Sequence, residues 1–273
     1  MEFLNLVDKT FGHSVLGYCS DYQSSDIFKW NRYITSGDVV YTDIVLNEVK
    51  DNLTGNNYAW LIEPMEISPQ NYLIIDNIKD KFKKVFTHEK TLLDKGSPFE
   101  FVSFGCCWVD KDLHEIYKKT KDIGIISSTK RSTTGQILRH SVIEHFRDKI
   151  DLYGRGFNPI KHKIEGLKDY RFSIVIENCK RDYWFTEKLI DCFVTGTIPI
   201  YWGCPSIGDF FNIDGMFIFN TLEELNVILK KIISDPLSEY RVKMEGVKDN
   251  FGRSKNYLLP DEVIFKKIKE KTK

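Results

Sequence analysis

At 273 residues the chain exceeds the usual single-domain length, so one large α/β domain or two of about 130 residues each are expected. Hydrophobic residues make up 42% of it, enough for a sizeable core, and 39 Lys and Arg are balanced by 39 Asp and Glu. That balance excludes a global field that would recruit nucleic acid or an anionic membrane, so an anionic ligand must be held by local donors.

The first residues, MEFLNLVDKTFGHS, lack the basic and long apolar regions of a signal peptide. No apolar run reaches the roughly 18 residues of a membrane span. A soluble, cytoplasmic chain without an integral membrane segment is the expectation. Cys19, Cys106, Cys107, Cys179, Cys192 and Cys204 are scattered through apolar stretches without a C-x-x-C pair, which predicts buried reduced thiols.

In chain order, strand-length apolar runs are FLNLV, VVYTDIV, YAWLIE, KKVFTH and FEFVSFG, then IGIISS, KIDLYG, FSIVIEN, IPIYWG and MFIFN. Helix-period stretches separate many of them. In TTGQILRHSVIEHFRDK, Leu138, Val142 and Phe146 recur every four residues on one face. Near-continuous apolar strands alternating with helices predict mainly parallel sheets covered on both faces. The polar stretch WVDKDLHEIYKKTKDIG reads as helix-like and divides the chain into halves 1–118 and 119–255. The tail, 256–273, reads as a basic helix after Pro260, a solvated closing element with peripheral membrane contact as its alternative.

Open parallel sheets bind ligands at the carboxyl ends of strands, where helix N-termini present free N–H groups. Glu177 and Asn178 end the strand FSIVIEN, and Thr186 is a good N-cap for a helix whose first turn carries Glu187 and Lys188. A lysine in that turn opposes the helix dipole, a misfit that a bound phosphate would relieve.

The stretch YRFSIVIENCKRDYWFTEKLIDCFVTGTIPIYWG, Tyr170 to Gly203, resembles the signature of the α1,3/4-fucosyltransferases, glycosyltransferase family 10. That signature runs roughly Y-x-F-x-x-x-F-E-N-S, then Y-x-T-E-K and G-x-[IV]-P-[IV]-x-x-G. Cys179 stands where the family has Ser, and Ile176 where it has Phe. The resemblance implies a GT-B fold, two Rossmann-like domains facing across a cleft, with GDP-fucose in the C-terminal half and a glycan acceptor met by the N-terminal half. It also implies a soluble bacterial or viral type of member, needing no cofactor, for which a divalent cation is at most stimulatory. LRHSVIEHF is similar to the family's helix whose arginine contacts the donor diphosphate, which gives that role to Arg139. LYGRG resembles its strand-end turn near the nucleotide, at Gly154. Glu177, Asn178, Tyr183, Thr186, Glu187 and Lys188 complete the expected donor site.

Family members invert the anomeric centre, a carboxylate taking the acceptor's proton. YAWLIEPMEISPQNY is similar to the stretch carrying that base, and either Glu63 or Glu66 fits, with Glu63 favoured because it closes the strand. His13 and His88 near strand ends could approach the acceptor, and Trp30 and Trp60 could stack on sugars or pack in the core. The D-x-D triplet Asp110-Lys111-Asp112 would suit a metal-dependent transferase, but Asp112 reads equally as a helix N-cap. Transfer from another nucleotide sugar, and non-catalytic binding of a nucleotide or glycan on the same fold, are the alternatives.

Overall fold

The computed structural model describes residues 1–9, 11, 17–52 and 54–270. The chain forms two compact units: Met1–Cys106 with Asp182–Trp184 and the C-terminal residues from Leu259, and Cys107–Arg181 with Phe185–Leu258.

The first unit carries a parallel sheet of β1 (Glu2–Val7), β2 (Phe28–Asn31), β3 (Val39–Thr42), β4 (Asn57–Trp60), β5 (Lys84–Thr87) and β6 (Phe99–Phe101), in the order β2-β1-β3-β4-β5-β6. Its helices in this part of the chain include α1 (Pro69–Ile78) and α2 (Lys90–Leu93). Val39, Tyr41, Ala59 and Val85 pack against Tyr72 and Ile75 of α1, since alternate strand residues share one face of the sheet.

In the second unit β7 (Lys121–Ile126), β8 (Asp151–Tyr153), β9 (Tyr170–Ile176), β10 (Ile198–Trp202) and β11 (Phe217–Ile218) form a parallel sheet ordered β11-β10-β9-β7-β8. Helices α3 (Thr134–Phe146), α4 (Glu187–Phe193), α5 (Leu222–Ser234), α6 (Pro236–Val242) and α7 (Met244–Ser254) follow in turn. One sheet face packs Ile123, Phe172, Ile174 and Ile200 against Val142 and Phe146 of α3 and Leu225 and Leu229 of α5. The other packs Val175 and Tyr201 against Leu189, Ile190 and Phe193 of α4. Both faces are thus covered, as the continuous apolar strands predict.

Several expectations are corrected. Strand β2, FKWN, is short and lies at the sheet edge, so it offers little apolar signal and was not among the predicted runs. Beyond the short 3-10 turn Lys111–Leu113 the stretch 114–118 is not a helix: Glu115 N–H donates to the Val194 carbonyl and Tyr117 N–H to the Thr195 carbonyl, which holds the segment along the end of α4. That pairing places residues 107–118 in the second unit, so the division falls at 106/107 rather than at 118. The tail is not a separate element either. Helix α8 (Pro260–Lys269) packs in the first unit, with Phe265 stacked on Phe28 at 4.6 Å and Asp261 accepting from Trp30 Nε1 at 2.7 Å. All six cysteines are buried thiols.

Lys119 fixes the base of β9 and β10. Its buried ammonium donates to the carbonyls of Lys168 (3.0 Å) and Thr195 (2.7 Å) and to Thr197 Oγ1 (2.9 Å). Lys119→Met removes the shared donor from these buried acceptors. It is expected to lower unfolding stability by about 2–4 kcal/mol, read as a reduced midpoint at unchanged slope in urea denaturation.

Candidate functional site

The strand–helix–strand unit β9–α4–β10 is joined through a buried carboxylate. Glu177 follows the last residue of β9 and is fully buried. One of its oxygens accepts from Thr186 N–H at 2.9 Å, and the other accepts from Thr186 Oγ1 at 2.7 Å. Lys188 Nζ lies 3.4 Å from the second oxygen and donates to Thr186 Oγ1 at 3.0 Å. Thr186 is the N-cap of α4, as its sequence position predicts, with its hydroxyl accepting from Lys188 N–H.

The neighbouring charges are matched in pairs. Glu187 Oε1 is 3.3 Å from Lys188 and 3.0 Å from Lys163, and Lys163 also meets Asp191 at 3.0 Å. Asp191 is fully buried and accepts from Trp108 N–H at 2.7 Å, while Lys163 stands over the Trp108 ring at 4.6 Å. Burial raises the Glu187 carboxyl, but the Lys163 and Lys188 ammoniums outweigh it and hold that group well below the usual range. At Asp191 burial prevails over Lys163 and the shift is upward. The Lys188 misfit inferred from the helix dipole is therefore already relieved within the protein, by Glu177 and Glu187.

Arg139 of α3 reaches the same strand end. Its guanidinium donates to Asn178 Oδ1 at 2.5 Å, and it is buried, 7% exposed. Burial lowers its pKa, opposed by the charges of Glu177 and Glu187. Its Nε–H is a buried donor without a partner, a group that an incoming anion could satisfy. The approach of α3 depends on Gly135: a Cβ there would stand 1.8 Å from the Glu177 carbonyl. Only a glycine fits that crossing.

The structure thus groups Arg139, Glu177, Asn178, Thr186, Glu187 and Lys188, with three revisions. Glu177 was expected to hold a ligand hydroxyl, but both its oxygens are engaged in the interior, so it positions Thr186 and Lys188. Gly154, at φ +115°, packs against Ser127, whose carbonyl would lie 1.9 Å from an added Cβ, so its conformation serves the β7–β8 strand ends. Tyr183 belongs with the first unit, edge-on to Phe101 at 5.7 Å. Lys163 and Asp191 escaped the sequence reading. Asp191 could have been found as the i+4 neighbour of Glu187 on α4; Lys163 has no local signal.

In the first unit Glu63 follows β4 and is half-buried, whereas Glu66 is exposed. Tyr72 Oη donates to the Glu63 carbonyl at 2.7 Å. His88 and Trp60 are buried, and Trp30 is bonded to Asp261, which favours packing over sugar contact for both tryptophans. His13 lies outside the described residues. Asp110, not Asp112, caps a short turn, Lys111–Leu113, by accepting from Asp112 N–H at 3.3 Å.

The ion pairs give a signed pH dependence. Glu187 has its folded pKa below its unfolded one, so its contribution is complete above about pH 4.5 and is lost as pH falls below that. Lys163→Met should destabilise the chain by roughly 3 kcal/mol near neutrality by stranding two carboxylates. The gap to wild type should narrow on going to pH 4 in paired urea titrations.

Residues 116–240 match the family model described as Glycosyltransferase family 10 (fucosyltransferase) C-term. The chain is 46% identical over 57 residues to the alpha-(1,3)-fucosyltransferase FucT of Helicobacter pylori, covering 21% of this chain and 12% of that protein. It is 32% identical over 96 residues to an alpha-(1,4)-fucosyltransferase of Arabidopsis thaliana, covering 33% of this chain and 24% of that one. The matched segments thus span less than a quarter of these relatives' own length. Among solved structures, an alpha1,3-fucosyltransferase with GDP-fucose superimposes with a TM-score of 0.55 at 15% identity, over 100% of this chain and 91% of that one. Anabaena Alr3699/HepE with UDP-glucose gives 0.61 at 10% identity, over 85% and 77%. These likenesses establish the fold, two parallel-sheet Rossmann-like units of the GT-B class. The motif residues assembled at the end of β9 all lie within the segment, 116–240, that is similar to the C-terminal part of the glycosyltransferase family 10 fucosyltransferases.

Proposed function

We propose that the chain is an inverting glycosyltransferase that moves fucose from GDP-fucose to a hydroxyl of a glycan acceptor. The observation that carries this reading is the convergence of Arg139, Asn178, Glu187 and Lys188 at the end of β9, inside the segment matched by the family model. Arg139 and Lys188 are the donors for the diphosphate, where negative charge grows as the bond to the sugar breaks. Charged hydrogen bonds of this kind contribute roughly 1.5–3 kcal/mol each. Asn178 holds the Arg139 guanidinium in place, and Glu187 accepts from a sugar or ribose hydroxyl.

Glu63 is the base. It takes the acceptor's proton as the acceptor oxygen bonds to the anomeric carbon, and GDP leaves with the electron pair of the broken C–O bond. Glu66 is the alternative, less favoured because it is exposed whereas Glu63 is half-buried, although both lie beyond Trp60, the last residue of β4. The reading includes no metal step and no nucleic acid partner. It does not extend to membrane contact: no helix among the described residues is long and apolar enough to cross a membrane. The apolar face of α8 is buried, and Lys267 and Lys269 pair with Glu100 and Glu2.

A second donor has one observation in its favour, the fold likeness to a protein solved with UDP-glucose. Release of nucleoside diphosphate from GDP-fucose and from UDP-glucose, with a panel of glycan acceptors, separates the two. The proposal expects turnover of GDP-fucose, lowered about a hundredfold or more by Glu63→Gln with GDP affinity retained. Turnover of UDP-glucose alone would reassign the donor. Nucleotide binding without turnover, insensitive to Glu63→Gln and Glu66→Gln, would make the chain a binding protein.

A further inference from the structure

Strand β3 ends at Thr42, opposite Trp60 of β4. In a parallel ladder successive N–H groups of a strand point to alternate neighbours. Leu61 N–H accordingly reaches the β5 carbonyl of Phe86 at 2.9 Å, and Ile62 N–H turns back towards β3. There the backbone has already entered the 3-10 segment Asp43–Glu48, so no ladder carbonyl is available. A side chain takes its place. Asp43 Oδ1 accepts from Ile62 N–H at 2.9 Å, and Oδ2 accepts from Glu63 N–H at 3.3 Å. The Tyr72 hydroxyl holds the Glu63 carbonyl from the other side at 2.7 Å.

The local conformation does not favour an aspartate here. Asp43 has φ +30°, a region that suits glycine, and is 2% exposed. A strained, buried carboxyl group kept at a strand end is better explained by what it holds than by the turn it occupies. Burial pushes it up to about 7; the Ile62 N–H opposes the rise, and the charges of Glu63 and Asp8 add to it. Asp8, beyond the end of β1, accepts from the Thr42 hydroxyl at 3.0 Å and pairs with Arg32 at 3.2 Å.

We propose that Asp43 is the positioning residue for Glu63: its carboxyl group and the Tyr72 hydroxyl clamp the Glu63 main chain, and the charge on Asp43 governs the protonation of the Glu63 side chain. The clamp rests on the reading of Glu63 as the base only for its catalytic meaning. Its existence is testable without turnover. A base whose main chain is held at both amide and carbonyl is aimed by the scaffold, and a neighbouring carboxyl that neutralises near pH 7 tunes how readily that base accepts a proton.

The test is carbon-13 NMR of the full chain with labelled Asp and Glu carboxyl groups, Glu63 assigned with Glu63→Gln, titrated from about pH 4 to about pH 9. The wild type should show a second inflection near neutrality on the Glu63 resonance. In Asp43→Asn that inflection should vanish while the lower step remains, because the neutral amide cannot take up the charge that Asp43 gains near neutrality. A single-step Glu63 curve in the wild type, or a second inflection that persists in Asp43→Asn, would overturn the proposal. Should Asp43→Asn fail to fold, the wild-type curve decides alone. A GDP titration in parallel keeps the two ideas apart: a two-step curve without nucleotide binding preserves the clamp and removes the transferase reading, and binding with a one-step curve does the reverse.

Discussion

The C-terminal unit is organised around one buried charge, the carboxylate of Glu177. Placing a carboxylate at zero exposure is strongly unfavourable unless its oxygens are all engaged. Here Thr186 supplies its amide and hydroxyl and Lys188 its ammonium, which ties the end of β9 to the first turn of α4. Two glycines make room for it. A Cβ on Gly203 would lie 2.6 Å from Glu177 Cγ, and one on Gly135 would meet the Glu177 carbonyl. Three segments, from α3, β9 and the end of β10, can therefore close on one point, and the cations that point towards that point are fixed as a consequence.

Charge balance follows from the same arrangement. Arg139, Lys163 and Lys188 stand among Glu177, Glu187 and Asp191, so the cluster is formally neutral although the pieces are buried or half-buried. Recognition of an anion here cannot rest on net positive charge. It rests on directed donors, of which the unpartnered Arg139 Nε–H is the clearest. This agrees with the chain as a whole, where 39 basic and 39 acidic residues leave no long-range field to collect a diphosphate. Specificity for a particular nucleotide must then come from local contacts.

Much of this was legible in the sequence because it is local. Continuous apolar strands announce parallel sheets, the spacing of Leu138, Val142 and Phe146 announces α3, and Thr186 before Glu-Lys announces the cap of α4. What was hidden depends on distant segments. Lys163 finds its two carboxylates only after the short turn it opens, Lys163–Gly166, comes against α4, and Asp43 is an ordinary residue of VVYTDIV until β4 runs alongside it. The same holds for the unit boundary. The stretch near His114 has a helical composition, yet its backbone is claimed by Val194 and Thr195, and the lysine-rich tail is claimed by Phe28 and Trp30. The strand-end place of Glu177 is legible in the sequence, whereas its burial against Thr186 and Lys188 is not, since sequence shows where a charge sits and not how deeply it is buried.

Calorimetric titration of the wild type and of Arg139→Ala with GDP and UDP bears most directly on the central claim, that directed donors at the end of β9 hold a nucleoside diphosphate. The account predicts selective binding of GDP, weakened about tenfold or more when the guanidinium is removed. Equal affinity in wild type and variant, or binding of neither nucleotide, would contradict it.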